Sequence, residues 1–458
     1  MPRSAAQLRQ DALSIWQAGL EAVRSPALVF DAVEVAGSDL RLGDLLVDLG
    51  SIDRIAVVGG GKAAAGMATA LEQALGPQLL RDKRVAGWVN VPADCVRSTD
   101  VITLHPGRAA GMNEPSEAGV AGVGHMLRIV AGLGPRDLCV CLISGGASAL
   151  LPAPIEGLSL EDKVTITQEM SARGATIEQM NLVRRSLSAV KGGGLAKACR
   201  AGRLVSLILS DVPGDDLGTI GSGPTVLEAA SPWDAMAAIQ SLALVDFPAG
   251  ARAAAVLEQR LAERNGETAL PDAAITSHGC RVTNVIIGNN ATAVDAAGIE
   301  AERLGYSHAM TSANRPEGLV EEVAHGMVEM ARRMREDASG PDCLISGGEP
   351  TVKLAHSGTR GKGGRNQQLC LAALAELPDW RGLALLSGGT DGEDGPTDAA
   401  GALVDEGIAA EVQRLGLDPR DYLVRNDAYT FFEAAGGLLK TGPTHTNVCD
   451  LRVLTVGR

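Results

Sequence analysis

Aromatic side chains are scarce in this chain of 458 residues, with four Trp, three Tyr and four Phe. Its core must be assembled from Ala, Val, Leu and Ile, a composition suited to helices layered closely on sheet. Positive charge is also short: 41 Lys and Arg face 55 Asp and Glu, for a formal net charge of −14. Such a chain repels a phosphate backbone, and no basic tail relieves this, so nucleic acid is excluded as an expected partner. Any anionic ligand has to find a local basic pocket. Apolar runs such as 138–143 and 205–209 fall far short of the ~18 residues a membrane span requires, so no membrane partner is expected. The eight Cys stand singly without a CxxC pair, and the seven His show no HExxH or other zinc spacing. That pattern excludes a disulfide framework and a zinc site, and it fits a reducing cytoplasm. Arg9, Asp11 and Glu21 interrupt residues 1–30 inside a helical pattern, which excludes a signal peptide there.

What the chain does have is glycine, 56 in all, and a regular alternation of short apolar runs with Ala-rich helical patterns. The alternation predicts an α/β fold with a mainly parallel sheet. Strands are expected at 54–58, about 85–91, 101–105, 139–143, 204–209, 282–287, 344–345 and 383–386. Each is short and almost wholly apolar, as in strands covered on both faces. A helix over 63–75 should stop at Gly76. Ser159 to Asp162 and Thr176 to Gln179 both read as capping boxes. After the second, Ile177, Met180, Val183, Leu187 and Val190 form an apolar stripe, so Arg184 and Arg185 should project away from its centre. Residues 319–334 carry a Val and Met stripe that reads as core packing. The length suggests two domains or three. The boundary is expected between Leu244 and Arg281, giving an N-terminal domain over 1–243, a connecting segment over 244–281 and a C-terminal domain over 282–458.

Three apolar runs end in Ser-Gly-Gly: Ser144-Gly145-Gly146, Ser346-Gly347-Gly348 and Ser387-Gly388-Gly389. A fourth ends in Gly59-Gly60-Gly61-Lys62 and leads into a helix. Glycine turns at the carboxyl ends of strands let backbone N–H groups approach a phosphate, although glycine is also the common residue wherever φ is positive. Lys62 supplies a point charge at the same place. The segment is no Walker A loop. It comes near the dinucleotide fingerprint, but the strand at about 85–91 ends without the required acid, and Asp94 lies too far on. A basic loop, Gly358 to Gln368, carries Arg360, Lys362 and Arg365. Arg360 and Lys362 read as solvated, whereas Arg365 sits at a helix start and suits a carboxylate or a transferring phosphoryl group. Two acidic loops follow strands, one with Asp211, Asp215 and Asp216, the other with Asp391, Glu393, Asp394 and Asp398. Carboxylates beside a phosphate pocket are the ligands Mg²⁺ takes together with phosphate oxygens and water, and the same residues also make turns.

Taken in order, GGGKAAAG at 59–66, LISGGASALL at 142–151, NLVRRSLSAVKGGGLA at 181–196, SDVPGDD at 210–216, GSGPT at 221–225, GKGGRNQQ at 361–368, SGGTDGEDGPTDAAGA at 387–402 and TGPTHTNVCDL at 441–451 resemble the glycerate 2-kinases of the MOFRL type. The resemblance spans nearly the whole chain. It implies a Rossmann-like N-terminal lobe and a smaller α/β C-terminal lobe whose MOFRL region covers about 340–452, with the active site in the cleft between them. It implies transfer of the γ-phosphoryl group of ATP to the 2-hydroxyl of D-glycerate with Mg²⁺. The family's essential lysine falls on Lys62 and its catalytic arginine on Arg365. The site expected on these grounds has Gly59, Gly60, Gly61, Ser144, Gly145, Gly146, Asn289, Asn290, Ser387, Gly388 and Gly389 binding nucleotide or substrate anions. Asp211 and Asp391 serve as magnesium ligands, with Asp211 also placed to accept the hydroxyl proton. A homodimer is the assembly considered. Two segments depart from the family pattern. His105-Pro106 runs on into Gly107-Arg108 instead of a compact His-Pro-x-Pro-Asp, and His445 replaces the middle glycine of TGPTGTN. Members are often labelled hydroxypyruvate reductases, so an NAD(P)H-dependent reductase with His105 or His445 as proton donor is the main alternative. A non-catalytic binding protein for a phosphorylated metabolite is the other.

Overall fold

A computed structural model describes residues 3–112, 114–227, 232–263 and 274–458, so the connecting segment expected over 244–281 lies partly outside the described residues. The chain divides into two compact units, one of Leu28–Leu209 with Asp216–Ile287, the other of Met1–Ala27, Ser210–Asp215 and Gly288–Arg458.

The first unit opens with a small antiparallel sheet of β1 (Val33–Ala36), β2 (Asp39–Leu42) and β3 (Leu45–Asp48). Its main sheet contains β4 (Arg54–Gly60), β5 (Ala86–Pro92), β6 (Ile102–Arg108), β7 (Asp137–Ile143), β8 (Arg203–Leu209) and β9 (Arg281–Gly288), in the order β6-β5-β4-β7-β8-β9. The pairings from β6 through β8 are parallel. β7 is buried along its whole length, which is why its sequence is an unbroken apolar run. Both capping boxes form, on Ser159 with Asp162 and on Thr176 with Gln179. The helix after β4 breaks at Gly76, where φ is +73°, and resumes at Pro77. The apolar stripe is shorter than expected, because Ile177 occupies the first helical position and is 60% exposed. Ile155, Ile166, Met170, Val183 and Ile239 pack with Ala253 and Leu257, so the helix Pro248–Glu263 belongs to this core.

The second unit holds β10 (His308–Thr311), β11 (Cys343–Gly348), β12 (Leu383–Gly389), β13 (Gly401–Asp405), β14 (Leu438–Leu439) and β15 (Asp450–Val456). Their order is β10-β11-β15-β12-β13-β14. Among the described residues of this sheet β10 and β11 pair in parallel, and the other ladders are antiparallel. The expectation of a mainly parallel sheet therefore fails here, because β15 inserts between β11 and β12 and runs against both. As a consequence β11 and β12 point the same way. Their Ser-Gly-Gly ends flank the first residue of β15, with Gly348 and Gly389 both registered on Asp450. The helix Ala5–Ala22 is built into this unit: Trp16 is buried, and its indole N–H donates to Leu451 O at 3.1 Å.

Candidate active site

In the first unit the site is built at the ends of β4 and β7. Gly59 and Gly61 adopt φ of +144° and +151°. A Cβ at Gly59 would collide with the Leu142 carbonyl, and one at Gly61 with the Ser144 hydroxyl. These glycines allow two neighbouring strand ends to close on each other. The N–H groups that follow are committed within the protein. Gly61 N donates to Asn90 O at 3.3 Å, Lys62 N to Gly145 O at 2.8 Å, and Ala63 N to Ser144 Oγ at 3.0 Å. The turn thus fixes the half-buried Lys62 against the second loop rather than presenting its own amides. In that second loop the N–H groups of Gly145 and Gly146 have no hydrogen-bond partner among the described residues. A Cβ on Gly146 would sit 3.4 Å from Lys62 Cγ and 3.7 Å from Arg108 Nη2, so two cations flank this glycine. Arg108 belongs to the segment that departs from the family pattern. His105, from the same segment, has its Nε2 2.9 Å from Ala118 O and its ring centroid 5.1 Å from that of Trp88.

In the second unit Arg365 begins the helix Arg365–Glu376. Its Nε and Nη2 donate to the two oxygens of Asp450 at 2.7 and 3.0 Å, and its Nη1 donates to Glu349 at 2.8 Å. Asp450 is fully buried, while a third of the arginine side chain stays exposed. Burial works against the Arg365 charge, but Asp450 and then Glu349 outweigh it and raise its pKa. Burial raises the Glu349 carboxyl, with Asp450 and Asp391 adding to the effect and Arg365 opposing it. Asp394 lies underneath, accepting from Asn366 N at 3.0 Å and Gln367 N at 2.8 Å, so it caps the helix that carries Arg365. Burial pushes this carboxyl up to about 7, against the pull of those two N–H donors.

The remaining expected residues are distributed around this pair. Asp391 Oδ1 accepts from Glu393 N at 3.1 Å and is within reach of Gly389. Asp211 accepts from Asn447 Nδ2 at 3.2 Å, and its carbonyl lies 3.0 Å from Cys449 Sγ. Burial, then Glu349, Asp450 and Asp211, raise the pKa of the Cys449 thiol, so these three carboxylates share one region. The asparagines have structural work. Asn289 caps the helix Asn290–Arg303 and donates to Asp215 at 2.5 Å. Asn290 is buried, donating to Val448 O at 2.9 Å and Asp450 O at 3.0 Å. Ser387 is likewise buried, with its hydroxyl 2.5 Å from Asn366 Oδ1, and Gly388 makes room for Trp16 and Leu439. No group of three or more His, Cys, Asp or Glu side chains able to hold a metal is present among the described residues. Magnesium, however, commonly takes only one or two carboxylates, so Asp211 and Asp391 remain chemically suited to it. Asp450 and Glu349 were not among the residues expected from sequence; Asp394 was, as one acid of the loop after the third Ser-Gly-Gly. The signal for Glu349 was its place directly after the second Ser-Gly-Gly; Asp450 shows no local signal, since its partner is 85 residues away.

A two-unit α/β protein with glycine turns at its strand ends, a fixed lysine in one unit and a carboxylate-held arginine in the other has the equipment of a small-acid kinase. Two family models match the chain: a domain of unknown function, DUF4147, over residues 11–258, and the MOFRL family over residues 342–450. The chain is 36% identical to human glycerate kinase, covering 98% of this chain and 94% of that one. It is 38% identical to a protein of Agrobacterium vitis named putative hydroxypyruvate reductase, over 88% and 87% of the two chains. The crystal structure of glycerate kinase from Thermotoga maritima superposes with a TM-score of 0.80 at 31% identity, covering 98% of this chain and all of that one. The chain belongs to the glycerate kinase family, a family of enzymes. No helix among the described residues is long and apolar enough to cross a membrane.

Proposed function

We propose that this enzyme transfers the γ-phosphoryl group of ATP to the 2-hydroxyl of D-glycerate, giving 2-phosphoglycerate and ADP. The observation that carries this reading is Arg365, held side-on by a buried carboxylate yet still a third exposed. Phosphoryl transfer calls for positioning and charge neutralisation more than for covalent chemistry, and a guanidinium oriented before the ligand arrives supplies both. Lys62 is proposed to meet the same phosphoryl group, which asks both units to serve one site in a cleft between the lobes. The strand order of the first unit supports reading it as Rossmann-like. Gly59 to Gly61 shape the turn that sets Lys62, and Gly145 and Gly146 offer their N–H groups to a ligand anion. Asp211 and Asp391 are the proposed magnesium ligands; the ion, when bound, neutralises phosphoryl oxygens. Asp211 is also the proposed acceptor of the hydroxyl proton.

The name of the Agrobacterium vitis relative favours a second reading, reduction of hydroxypyruvate. The ring nitrogen of His105 faces a backbone carbonyl, which weakens its claim as proton donor. The test pairs two assays on one preparation: ADP release with D-glycerate, and NADH consumption with hydroxypyruvate. ADP release with phosphorus detected on carbon 2 is expected. NADH consumption without ADP release would overturn the kinase reading.

A further inference from the structure

Near the Ser144-Gly145-Gly146 loop, two cations meet at one serine and a third stands close by. Lys191 is buried, and its ammonium donates to Ser148 O at 2.9 Å and Ser148 Oγ at 2.6 Å, with Ser222 Oγ at 3.4 Å. Arg184 Nη2 donates to the same Ser148 Oγ at 3.0 Å. With both lone pairs used, that hydroxyl has its proton left for Ser222 Oγ, 3.1 Å away. The sequence pattern had Arg184 pointing away from the stripe of its helix; in the structure it turns to this serine. Lys163, from the helix Leu160–Ala172, completes the group: burial first, then Arg184, push its ammonium down to about 7. Burial, Arg184 and Lys163 drive Lys191 down in turn, and burial lowers Arg184.

None of the three has an ion-pair partner among the described residues, in a chain whose net charge is −14. Buried cations are ordinarily paired, because desolvation and mutual repulsion make an unpaired group of them costly. Here the partners are hydroxyls and a carbonyl. No carboxylate among the described residues supplies their counter-charge, which leaves the group suited to an anion that binds there.

We infer that Arg184 and Lys191, gathered on Ser148, form with Lys163 and the N–H groups of Gly145 and Gly146 an oxyanion-binding subsite that takes a phosphoryl or carboxylate group of the ligand. The chemistry is the same for a nucleotide phosphate and for the carboxylate of a hydroxy acid. The subsite deepens the kinase reading and rests on it only for the identity of the ligand. Ser148 acts as a positioning residue, because it holds two of the cations at a fixed spacing.

The test is calorimetric binding of pyrophosphate, ADP and D-glycerate to the full chain and to Lys163→Met, Arg184→Gln and the control Arg97→Gln, which removes an exposed charge in the same unit. Lys163→Met breaks no side-chain hydrogen bond among the described residues, so its fold, checked by circular dichroism, should be unchanged. At least a tenfold rise in the pyrophosphate Kd for Lys163→Met and Arg184→Gln, with Arg97→Gln unchanged, is expected. A matching loss confined to ADP assigns the subsite to the nucleotide, and one confined to D-glycerate assigns it to the acid. Wild-type affinity for all three probes in both variants would overturn the subsite. If the wild type binds pyrophosphate but neither ADP nor D-glycerate, the kinase reading fails while the subsite is still judged by its pyrophosphate arm.

Discussion

Arg365 and Asp450 form a two-point pair, Nε to Oδ2 at 2.7 Å and Nη2 to Oδ1 at 3.0 Å, between a half-buried guanidinium and a carboxylate with no exposed surface. Such a pair fixes the plane of the guanidinium, which a lysine cannot reproduce. Arg365→Ala and Arg365→Lys are both expected to lower kcat, on the order of 10² to 10⁴ for the alanine. Asp450→Asn should leave the KM for the acid nearly unchanged and lower kcat roughly 10- to 100-fold, because it loosens the arginine without touching substrate. Steady-state kinetics with ATP and D-glycerate check all three variants, and an Asp450→Asn enzyme with normal kcat would remove Asp450 from the positioning role.

The turn before Lys62 should be intolerant of any side chain. Gly61 has φ of +151°, and its Cβ would collide with Ser144 Oγ. Gly61→Ala is expected to cost roughly 2 kcal/mol or more through backbone strain and overpacking. Urea denaturation measures the loss, and the folded fraction should also turn over more slowly, since Lys62 is positioned by the same contact.

Asp394 gives a stability signature with pH. Its carboxyl is pushed up to about 7 by burial, whereas in the unfolded chain it keeps the ordinary value of 3.8. Between about 4 and 7 the folded state holds a proton that the unfolded chain has already released, so this residue's contribution falls as pH rises through that window and is level above it. Asp394→Asn mimics the protonated acid at the same helix start. The difference between the melting curves of Asp394→Asn and wild type should therefore grow in favour of the variant from pH 4 to pH 7. A constant difference would show that Asp394 is ionised throughout.

Ala243 sits in the left-handed region with φ of +50° and is exposed. A Cβ there costs roughly 1–2 kcal/mol, partly offset by the extra freedom glycine brings to the unfolded chain. Ala243→Gly should raise the unfolding free energy by about 0.5–1 kcal/mol, read from the shift in the urea midpoint.

Local signals carried well from sequence to structure. The Ser-Gly-Gly turns do end strands, Gly76 does break its helix, and the capping boxes at Ser159 and Thr176 form because each depends on residues three apart. The departure at His445 also has a backbone meaning: its φ is +58°, the conformation glycine adopts most easily, so the family's usual residue at this place suits the turn. What the sequence hid is long-range. Nothing near Asp450 marks it as the anchor of Arg365, and nothing near Lys191 marks Ser148 as its partner 43 residues away. Equally long-range are the partners of Asn289 and Asn290, expected from sequence as ligand donors: their side-chain amides donate to Asp215, Val448 and Asp450.

The central position of β15 has a consequence for how the chain acquires its shape. This strand emerges from synthesis after every other strand of its sheet, yet it lies between β11 and β12 and brings Asp450 with it. The helix Ala5–Ala22, made before any strand of this sheet, waits for the same strand, since Trp16 bonds to Leu451 across 435 residues. Closing such contacts is slow, and a nascent chain halted before residue 450 would expose the apolar faces of both. The arginine of the proposed site therefore gains its anchor only once residue 450 has been made, so a chain halted before it holds Arg365 without Asp450.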